Sequence, residues 1–319
     1  MNTEMQVLKL NKPGKFTILN SHIPELGDND LLVKFKFSML CGSDYPKFTD
    51  NCPSISCPLP TGMPIHECVG EIILSNSKSY QIGDTVLAMP KCDAGLSDYF
   101  IANDSKAIKL QGWKDEDLKY APLSQPAGTI LNAIDKIGNI ENKKILVFGL
   151  GGIGTIFCNI LRIKGANNII AIDPNEFRRT MAKDKLDIIS TSRWNNKLTK
   201  EFDVVIDAVG QTDQEAIINN SINSAKNHGK VVLFGIPTIK NQTINIYDLI
   251  RKNLTIIGVI NPYWEKYLKD GVNIVQTNLN LFRDLLTHEF PLSQAESAFK
   301  LFGQKDTKRL KILLYNDFS

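Results

Sequence analysis

Two patterns of apolar and polar positions divide the chain. Before about residue 120, short segments alternate apolar with polar residues and are separated by turn residues, which is typical of β-strands. These predicted strands cover residues 31–37, 69–74, 85–89 and 99–102. Their short length and spacing predict an antiparallel β-barrel or sandwich.

Beyond about residue 121, apolar runs of strand length alternate with helical patterns. The predicted strands are 144–148, 168–172, 203–207, 230–234 and 254–259, and a helix is predicted over 214–226. This alternation indicates a mostly parallel sheet covered by helices. A short amphipathic segment and a last strand, 310–315, then form a tail that is too small to be a domain.

The change of pattern predicts the domain organisation. We expect a β domain over residues 1–122, a dinucleotide-binding domain over 123–285, and a C-terminal segment over 286–319 that returns to the first domain. A length of 319 residues agrees with two domains of ordinary size.

The most specific motif is a glycine-rich turn between a predicted strand and a predicted helix. Gly149 permits the tight turn, Gly151 lets the backbone approach a pyrophosphate, and Gly154 lets the helix pack close to the strand. The next strand ends in Asp173, whose carboxylate would accept hydrogen bonds from the ribose hydroxyls. This order of strand, turn, helix, strand and acid predicts a dinucleotide-binding unit.

Charge and composition exclude several classes of function. The net charge is only +3 and no basic cluster stands out, so nothing favours nucleic acid or an anionic membrane surface. No apolar run is long enough to span a bilayer, and residues 1–9 have no apolar signal core. Six cysteines in a chain of this length do not form the framework of a secreted domain. We therefore expect a cytoplasmic protein.

Cys41 and His66 form a second candidate site. A thiolate and an imidazole from separate segments are suitable ligands for Zn²⁺. Cysteine is, however, among the most buried residue types, so these two residues alone leave open a structural role in the core.

Five motifs occur together in one order. They are Cys41-Gly-Ser-Asp44, His66-Glu-Cys-Val-Gly70, Gly83-Asp-Thr-Val86, Gly149-Leu-Gly-Gly-Ile-Gly154 and Asp203-Val-Val-Ile-Asp-Ala-Val-Gly210. Over essentially its whole length the chain resembles the zinc-dependent medium-chain dehydrogenase/reductase family, of the alcohol and sorbitol dehydrogenase type. The resemblance implies an α/β protein with a GroES-like β-barrel catalytic domain and a Rossmann domain with a doubly wound parallel sheet.

The resemblance also implies roles in catalysis. Cys41 and His66 would bind the zinc, and Ser43 would pass on the proton of the substrate hydroxyl. Asp44 would orient the His66 ring through its second nitrogen. Because adjacent strand residues point to opposite faces, we expect Glu67 to act near the zinc or to bind it only transiently.

The third protein ligand is a departure from the family pattern. The sorbitol dehydrogenase branch has a Glu-Pro pair where this chain has Gln125-Pro, and an amide is a weaker zinc ligand than a carboxylate. Three outcomes stay open: Gln125 binds weakly, Glu67 replaces it, or tight zinc binding is lost. A lobe with four cysteines is missing and Cys92 stands alone in its place, so we expect one catalytic zinc and no structural zinc.

The resemblance extends the cofactor site to Gly152, Ile153, Arg178 and Val209. We expect NAD rather than NADP, because a 2′-phosphate would meet the carboxylate of Asp173. Arg178 is near enough in sequence to soften that repulsion.

The predicted function is hydride transfer between NAD(H) and a small secondary alcohol or ketone, in particular a polyol, sugar or cyclitol. We expect a homodimer or homotetramer. Two alternatives remain open. One is a zinc-free NAD(P)H reductase of quinones or conjugated carbonyls on the same fold, and the other is a non-catalytic dinucleotide-binding protein.

Overall fold

A computed structural model describes residues 4–52, 54–210, 214–237, 241–261, 264–305 and 307–318. The chain divides into two compact units. The first contains Met1–Gln125, Tyr263–Leu279 and Leu286–Ser319, and the second contains Pro126–Pro262 and Asn280–Leu285. None of the described helices is long and apolar enough to cross a membrane.

The strands are numbered in chain order. They are β1 (Glu4–Lys12), β2 (Lys15–His22), β3 (Asp30–Met39), β4 (Cys68–Ser75), β5 (Thr85–Pro90), β6 (Tyr99–Lys109), β7 (Lys144–Phe148), β8 (Asn168–Ile172), β9 (Ile189–Thr191), β10 (Phe202–Asp207), β11 (Ala225–Leu233), β12 (Thr255–Gly258), β13 (Leu286–Pro291) and β14 (Lys311–Tyr315).

The α-helices are numbered in the same way. They are α1 (Tyr45–Phe48), α2 (Ser124–Ile137), α3 (Gly152–Ile163), α4 (Glu176–Leu186), α5 (Glu215–Ser224), α6 (Ile246–Arg251), α7 (Trp264–Thr277), α8 (Leu279–Phe282) and α9 (Ala295–Gly303).

The first unit is built on a barrel. Strands β3 to β6 pair in sequence order, and β6 also pairs with β3, which closes the sheet on itself. All these pairings are antiparallel, as the alternating pattern predicts, and the barrel of the GroES-like domain is confirmed. Strand β14 extends the sheet by pairing with β3, so the C-terminal tail belongs to this unit.

An aromatic cluster supports the short helix α1. The rings of Phe48 and Phe299 stack with centroids 4.7 Å apart, and Phe16 lies 5.3 Å from Phe48. Phe299 belongs to α9, so the tail of the chain packs on the first helix. Because α1 begins directly after Asp44, this packing also anchors the motif that carries Cys41.

The second unit is a Rossmann fold. Its six described strands are all parallel, in the order β12-β11-β10-β7-β8-β9. The chain direction across the sheet reverses between β7 and β10, and ligands bind to open α/β sheets at the carboxyl ends of the strands at such a reversal. The glycine-rich turn follows β7 at this position, and the doubly wound sheet is confirmed.

Some boundaries differ from the sequence prediction: β6 runs on to Lys109, and β11 begins five residues early, at Ala225. The helix predicted over 214–226 ends at Ser224, and the following strand already begins at Ala225. The buried ammonium of Lys252 donates hydrogen bonds to the carbonyl oxygens of Ile222 and Asn223, at 2.8 and 3.0 Å. This cation closes the last turn of the helix, and such a contact between distant residues has no signature in the local sequence.

Candidate active site

Three possible metal ligands meet in the first unit. The ligand atoms of Cys41, His66 and Glu67 all lie within 4.8 Å of one another. Cys41 follows the end of β3, and the other two residues directly precede β4. Strands β3 and β4 are antiparallel with Ser38 opposite Cys68, so their register brings the two segments together.

Asp44 joins the two segments. One of its carboxylate oxygens accepts a hydrogen bond from the backbone N–H of Cys41 at 2.9 Å, and the other lies 2.9 Å from Nδ1 of His66. Asp44 is fully buried, so this contact is shielded from water. With Nδ1 engaged, His66 has Nε2 left for a metal ion.

The charge on Asp44 also acts on the His66 ring. Burial alone would lower the pKa of His66, but the nearby Asp44 carboxylate, its hydrogen bond and the Cys41 sulfur raise this pKa well above its ordinary value. The surroundings therefore favour positive charge at this position. A site with this property is suited to a cation.

The side chain of Glu67 does not point to the opposite side from that of His66, as strand alternation would predict. Glu67 precedes β4, so the rule that neighbouring strand residues face opposite sides does not apply to it. Its side chain is fully buried, and Oε2 lies 2.9 Å from Nζ of Lys311. Among the described residues, Oε1 of Glu67 has no hydrogen-bond partner.

Lys311 is a residue of this site that sequence reasoning missed. It is the first residue of β14 and is 3% exposed, and its ammonium also lies 3.4 Å from the carbonyl oxygen of Leu40. Burial alone would lower its pKa, but the charges of Glu67 and Cys41 outweigh burial and raise it. The available signal was a lysine that opens an otherwise apolar strand.

Two other predicted site residues, Ser43 and Gln125, lie in the same unit. Ser43 lies partly buried in the turn between Cys41 and Asp44, which is where the motif puts it. Gln125 is the second residue of α2 and is 7% exposed.

The glycine-rich turn of the second unit has the backbone geometry that its sequence predicts. Gly149 has a φ of +89°, which favours glycine. A Cβ on Gly154 would lie 1.8 Å from the carbonyl oxygen of Gly149, so no other residue fits there without a shift of the backbone. Helix α3 begins at Gly152 and continues through Ile153, so its first N–H groups have no partner within the helix.

Asp173 connects this turn to the end of β8. It is 2% exposed, and its carboxylate accepts hydrogen bonds from the backbone N–H groups of Leu150 at 2.7 Å and Asn175 at 2.8 Å. The guanidinium of Arg178 lies 3.5 Å away. Each carboxylate oxygen can accept more than one hydrogen bond, so the carboxylate keeps capacity for a ligand hydroxyl.

Val209 and Asp207 lie at the end of β10. A Cβ on Gly149 would lie 2.9 Å from the side chain of Val209, so Val209 borders the glycine-rich turn. The Asp207 carboxylate accepts a hydrogen bond from the N–H of Val209 at 3.0 Å. Burial raises the pKa of Asp207 to about 7, although hydrogen bonds from Val209 and Gln214 act in the opposite direction.

Two family models match the chain. The model described as "Alcohol dehydrogenase GroES-like domain" matches residues 27–115, and the model described as "Zinc-binding dehydrogenase" matches residues 152–276. An L-threonine 3-dehydrogenase from Symbiobacterium thermophilum is 24% identical over 93% of this chain and 94% of that protein.

Solved structures share the fold. L-idonate 5-dehydrogenase from Escherichia coli has a TM-score of 0.83 at 19% identity, covering 99% of both chains. A zinc-binding dehydrogenase from Sinorhizobium meliloti, bound to NADP, has a TM-score of 0.83 at 19% identity, covering 98% of this chain and 100% of that chain. RspB from Escherichia coli, an alcohol dehydrogenase complexed with NADH, has a TM-score of 0.83 at 21% identity, covering 98% of this chain and 100% of that chain.

A barrel with a cysteine–histidine site and a Rossmann sheet together define a two-domain dehydrogenase. The chain belongs to the zinc-dependent medium-chain dehydrogenase/reductase family, and it is an enzyme that acts on alcohols.

Gly154→Ala should weaken NADH binding at least about tenfold, equivalent to about 1.4 kcal/mol, because the new Cβ forces the turn to move. Fluorescence titration with NADH measures the effect. Gly258→Ala is the matched control, because a Cβ on Gly258 meets nothing within 4 Å. Equal affinity in the wild type and the Gly154→Ala variant would show that the turn tolerates a side chain.

The raised pKa of Asp207 should make the second unit less stable as the pH rises. At pH 4 the carboxyl is largely protonated in the native state, and between pH 4 and 7 the buried group resists the ionisation that the unfolded chain undergoes. The loss relative to Asp207→Asn should reach about 2 to 4 kcal/mol above pH 7.

Urea unfolding of the wild type and the variant at pH 5 and pH 8 measures this loss. Asp203→Asn, on the same strand, is the control, because the ion pair with Lys226 outweighs burial and lowers the pKa of Asp203. Parallel pH profiles for the wild type and Asp207→Asn would contradict the prediction.

Proposed function

We propose that this enzyme transfers a hydride between NAD(H) and a small secondary alcohol or ketone, at a single zinc ion held in the first unit. The observation that carries the proposal is the ligand set of Cys41, His66 and Glu67, whose ligand atoms lie within 4.8 Å of one another. A zinc-free reductase has no need for these three groups at one place.

The residues present fit a zinc ion. A thiolate, an imidazole nitrogen and a carboxylate are the donors that zinc prefers, and three protein ligands leave a fourth position for substrate. Oε1 of Glu67 is buried without a hydrogen-bond partner among the described residues. A bound cation would satisfy this oxygen by coordination. When bound, zinc supplies Lewis-acid chemistry, which makes an alcohol a stronger acid and a carbonyl a better hydride acceptor.

The remaining steps belong to residues of the chain. Asp44 holds the His66 ring through Nδ1 and the Cys41 backbone through its N–H, which keeps both ligands in place. Ser43, in the turn between them, accepts the proton of the substrate hydroxyl and passes it towards solvent. The cofactor carries the hydride chemistry, and the protein supplies binding and orientation.

The cofactor site supports NAD in preference to NADP. The N–H groups at the start of α3 bind the pyrophosphate, and Asp173 accepts hydrogen bonds from the ribose hydroxyls. A 2′-phosphate would place negative charge beside this buried carboxylate. Arg178 lies 3.5 Å from Asp173 and reduces this penalty without removing it.

The substrate class rests on similarity. The family resemblance to sorbitol dehydrogenases supports a polyol, sugar or cyclitol, and the relatives named L-threonine 3-dehydrogenase and L-idonate 5-dehydrogenase also support a small hydroxylated substrate.

We also propose a cytoplasmic location and a homodimer or homotetramer. Exposed apolar side chains on α6, namely Ile246, Tyr247 and Ile250, support self-association.

Cys41→Ser should remove the zinc and lower the kcat for alcohol oxidation at least about a hundredfold. The loss of a thiolate ligand weakens the binding of the ion that the reaction needs. The affinity for NADH should remain unchanged, since the glycine-rich turn lies in the other unit. Elemental analysis, steady-state kinetics and NADH titration measure the three quantities. The control is Cys92→Ser, which changes an exposed thiol. Full activity in zinc-free protein would overturn the proposed function.

The wild type should use NAD at least about tenfold more efficiently than NADP, and Asp173→Ser should narrow the ratio, because it removes the charge that opposes a 2′-phosphate. The ratio of kcat/KM with the two cofactors measures this preference. Asp184→Ser, an exposed change on α4, serves as the control. A wild type that prefers NADP would show that Arg178 dominates the site.

A further inference from the structure

The ion pair between Glu67 and Lys311 is more deeply buried than an ordinary structural ion pair. The exposed fractions of the two side chains are 0% and 3%, and the two charged atoms are 2.9 Å apart. The residues are 244 positions apart in the chain, and the pairing of β14 with β3 brings them together. Taking two charges out of water is costly, so a pair at this depth adds little stability by itself.

The two oxygens of the Glu67 carboxylate differ. Oε2 is bound by the ammonium of Lys311, whereas Oε1 has no hydrogen-bond partner among the described residues. A carboxylate oxygen of Glu67 also lies within 4.8 Å of the ligand atoms of Cys41 and His66. This arrangement leaves one oxygen free for a metal ion while the other is held by a fixed cation.

Lys311 also changes the charge of the metal site. A divalent ion with the thiolate of Cys41, the neutral imidazole of His66 and the carboxylate of Glu67 would form a neutral cluster. The ammonium of Lys311 adds one positive charge a few ångströms away, and at this burial such a charge is poorly screened. The added charge opposes metal binding and favours negative charge on the oxygen of a bound substrate as its proton leaves.

We infer that Lys311 is a positioning residue of the metal site, which holds Glu67 by Oε2 so that Oε1 serves as the third protein ligand. Its charge lowers the affinity for the metal and increases the reactivity of the bound alcohol. This inference rests on the proposed zinc-dependent function. It assigns the third ligand to Glu67 rather than to Gln125.

The test uses two properties that move in opposite directions. Lys311→Met should bind Co²⁺ and Zn²⁺ at least about tenfold more tightly, because the loss of a nearby positive charge outweighs the loss of the contact that orients Glu67. The kcat for alcohol oxidation should fall at least about tenfold. Lys311→Arg, which keeps the charge, should return both values towards the wild type. Damage to the fold would lower both quantities together.

Co²⁺ binding is followed by the absorption band of the thiolate–cobalt bond and by competition with a chelator. The control is Lys36→Met, which breaks a 3.0 Å ion pair with Glu71 between strands β3 and β4 of the same sheet, where both side chains are far more exposed. Unchanged or weaker metal binding in folded Lys311→Met would overturn the inference.

A second variant covers the case in which Lys311→Met does not fold. The single variant Glu67→Gln keeps the ammonium of Lys311 and replaces the carboxylate of Glu67 by a neutral amide. We expect its metal affinity to fall at least about tenfold, because an anionic ligand oxygen is lost while the charge of Lys311 remains. An affinity equal to that of the wild type would overturn the assignment of Glu67.

The same measurements separate this inference from the proposed function. A wild type that shows no thiolate–cobalt band and no zinc dependence would overturn both. A wild type that binds the metal through Cys41 while its affinity is insensitive to Lys311 would overturn the inference alone.

Discussion

The proposed metal site depends on the carboxylate of Asp44. It is fully buried, and it contacts the backbone N–H of Cys41 with one oxygen and Nδ1 of His66 with the other. A single side chain therefore fixes two proposed ligands that come from different segments. Without it, the ring of His66 would lose the contact that leaves Nε2 for the metal, and the Cys41 turn would lose its attachment.

The cofactor unit could be predicted in detail because its signals are local. Gly149, Gly154 and Asp173 lie within one strand–helix–strand segment, and each glycine is required by its own backbone environment. The periodic apolar runs likewise predicted the parallel strands, since these are buried on both faces. The boundary between α5 and β11 was misplaced, and there the ammonium of Lys252 closes the helix from a distant part of the chain.

The metal site could be predicted only in part because contacts between distant residues build it. The motif around Cys41 and His66 indicated the proposed ligands by resemblance, but it could not show that Glu67 precedes β4 and so escapes the strand alternation. Apolar periodicity could not show that Lys311 contacts Glu67 either. Periodicity indicates which positions are buried, but not which buried polar groups pair with each other. That pairing follows from the registry of β14 and β3.

X-ray absorption at the zinc edge of the zinc-loaded enzyme tests the metal site most directly. With Cys41, His66 and Glu67 as ligands, the spectrum should show one sulfur at about 2.3 Å and the remaining ligands as nitrogen or oxygen at about 2.0 to 2.2 Å. A zinc ion with no sulfur ligand, or with several, would contradict the ligand set on which the proposed chemistry depends.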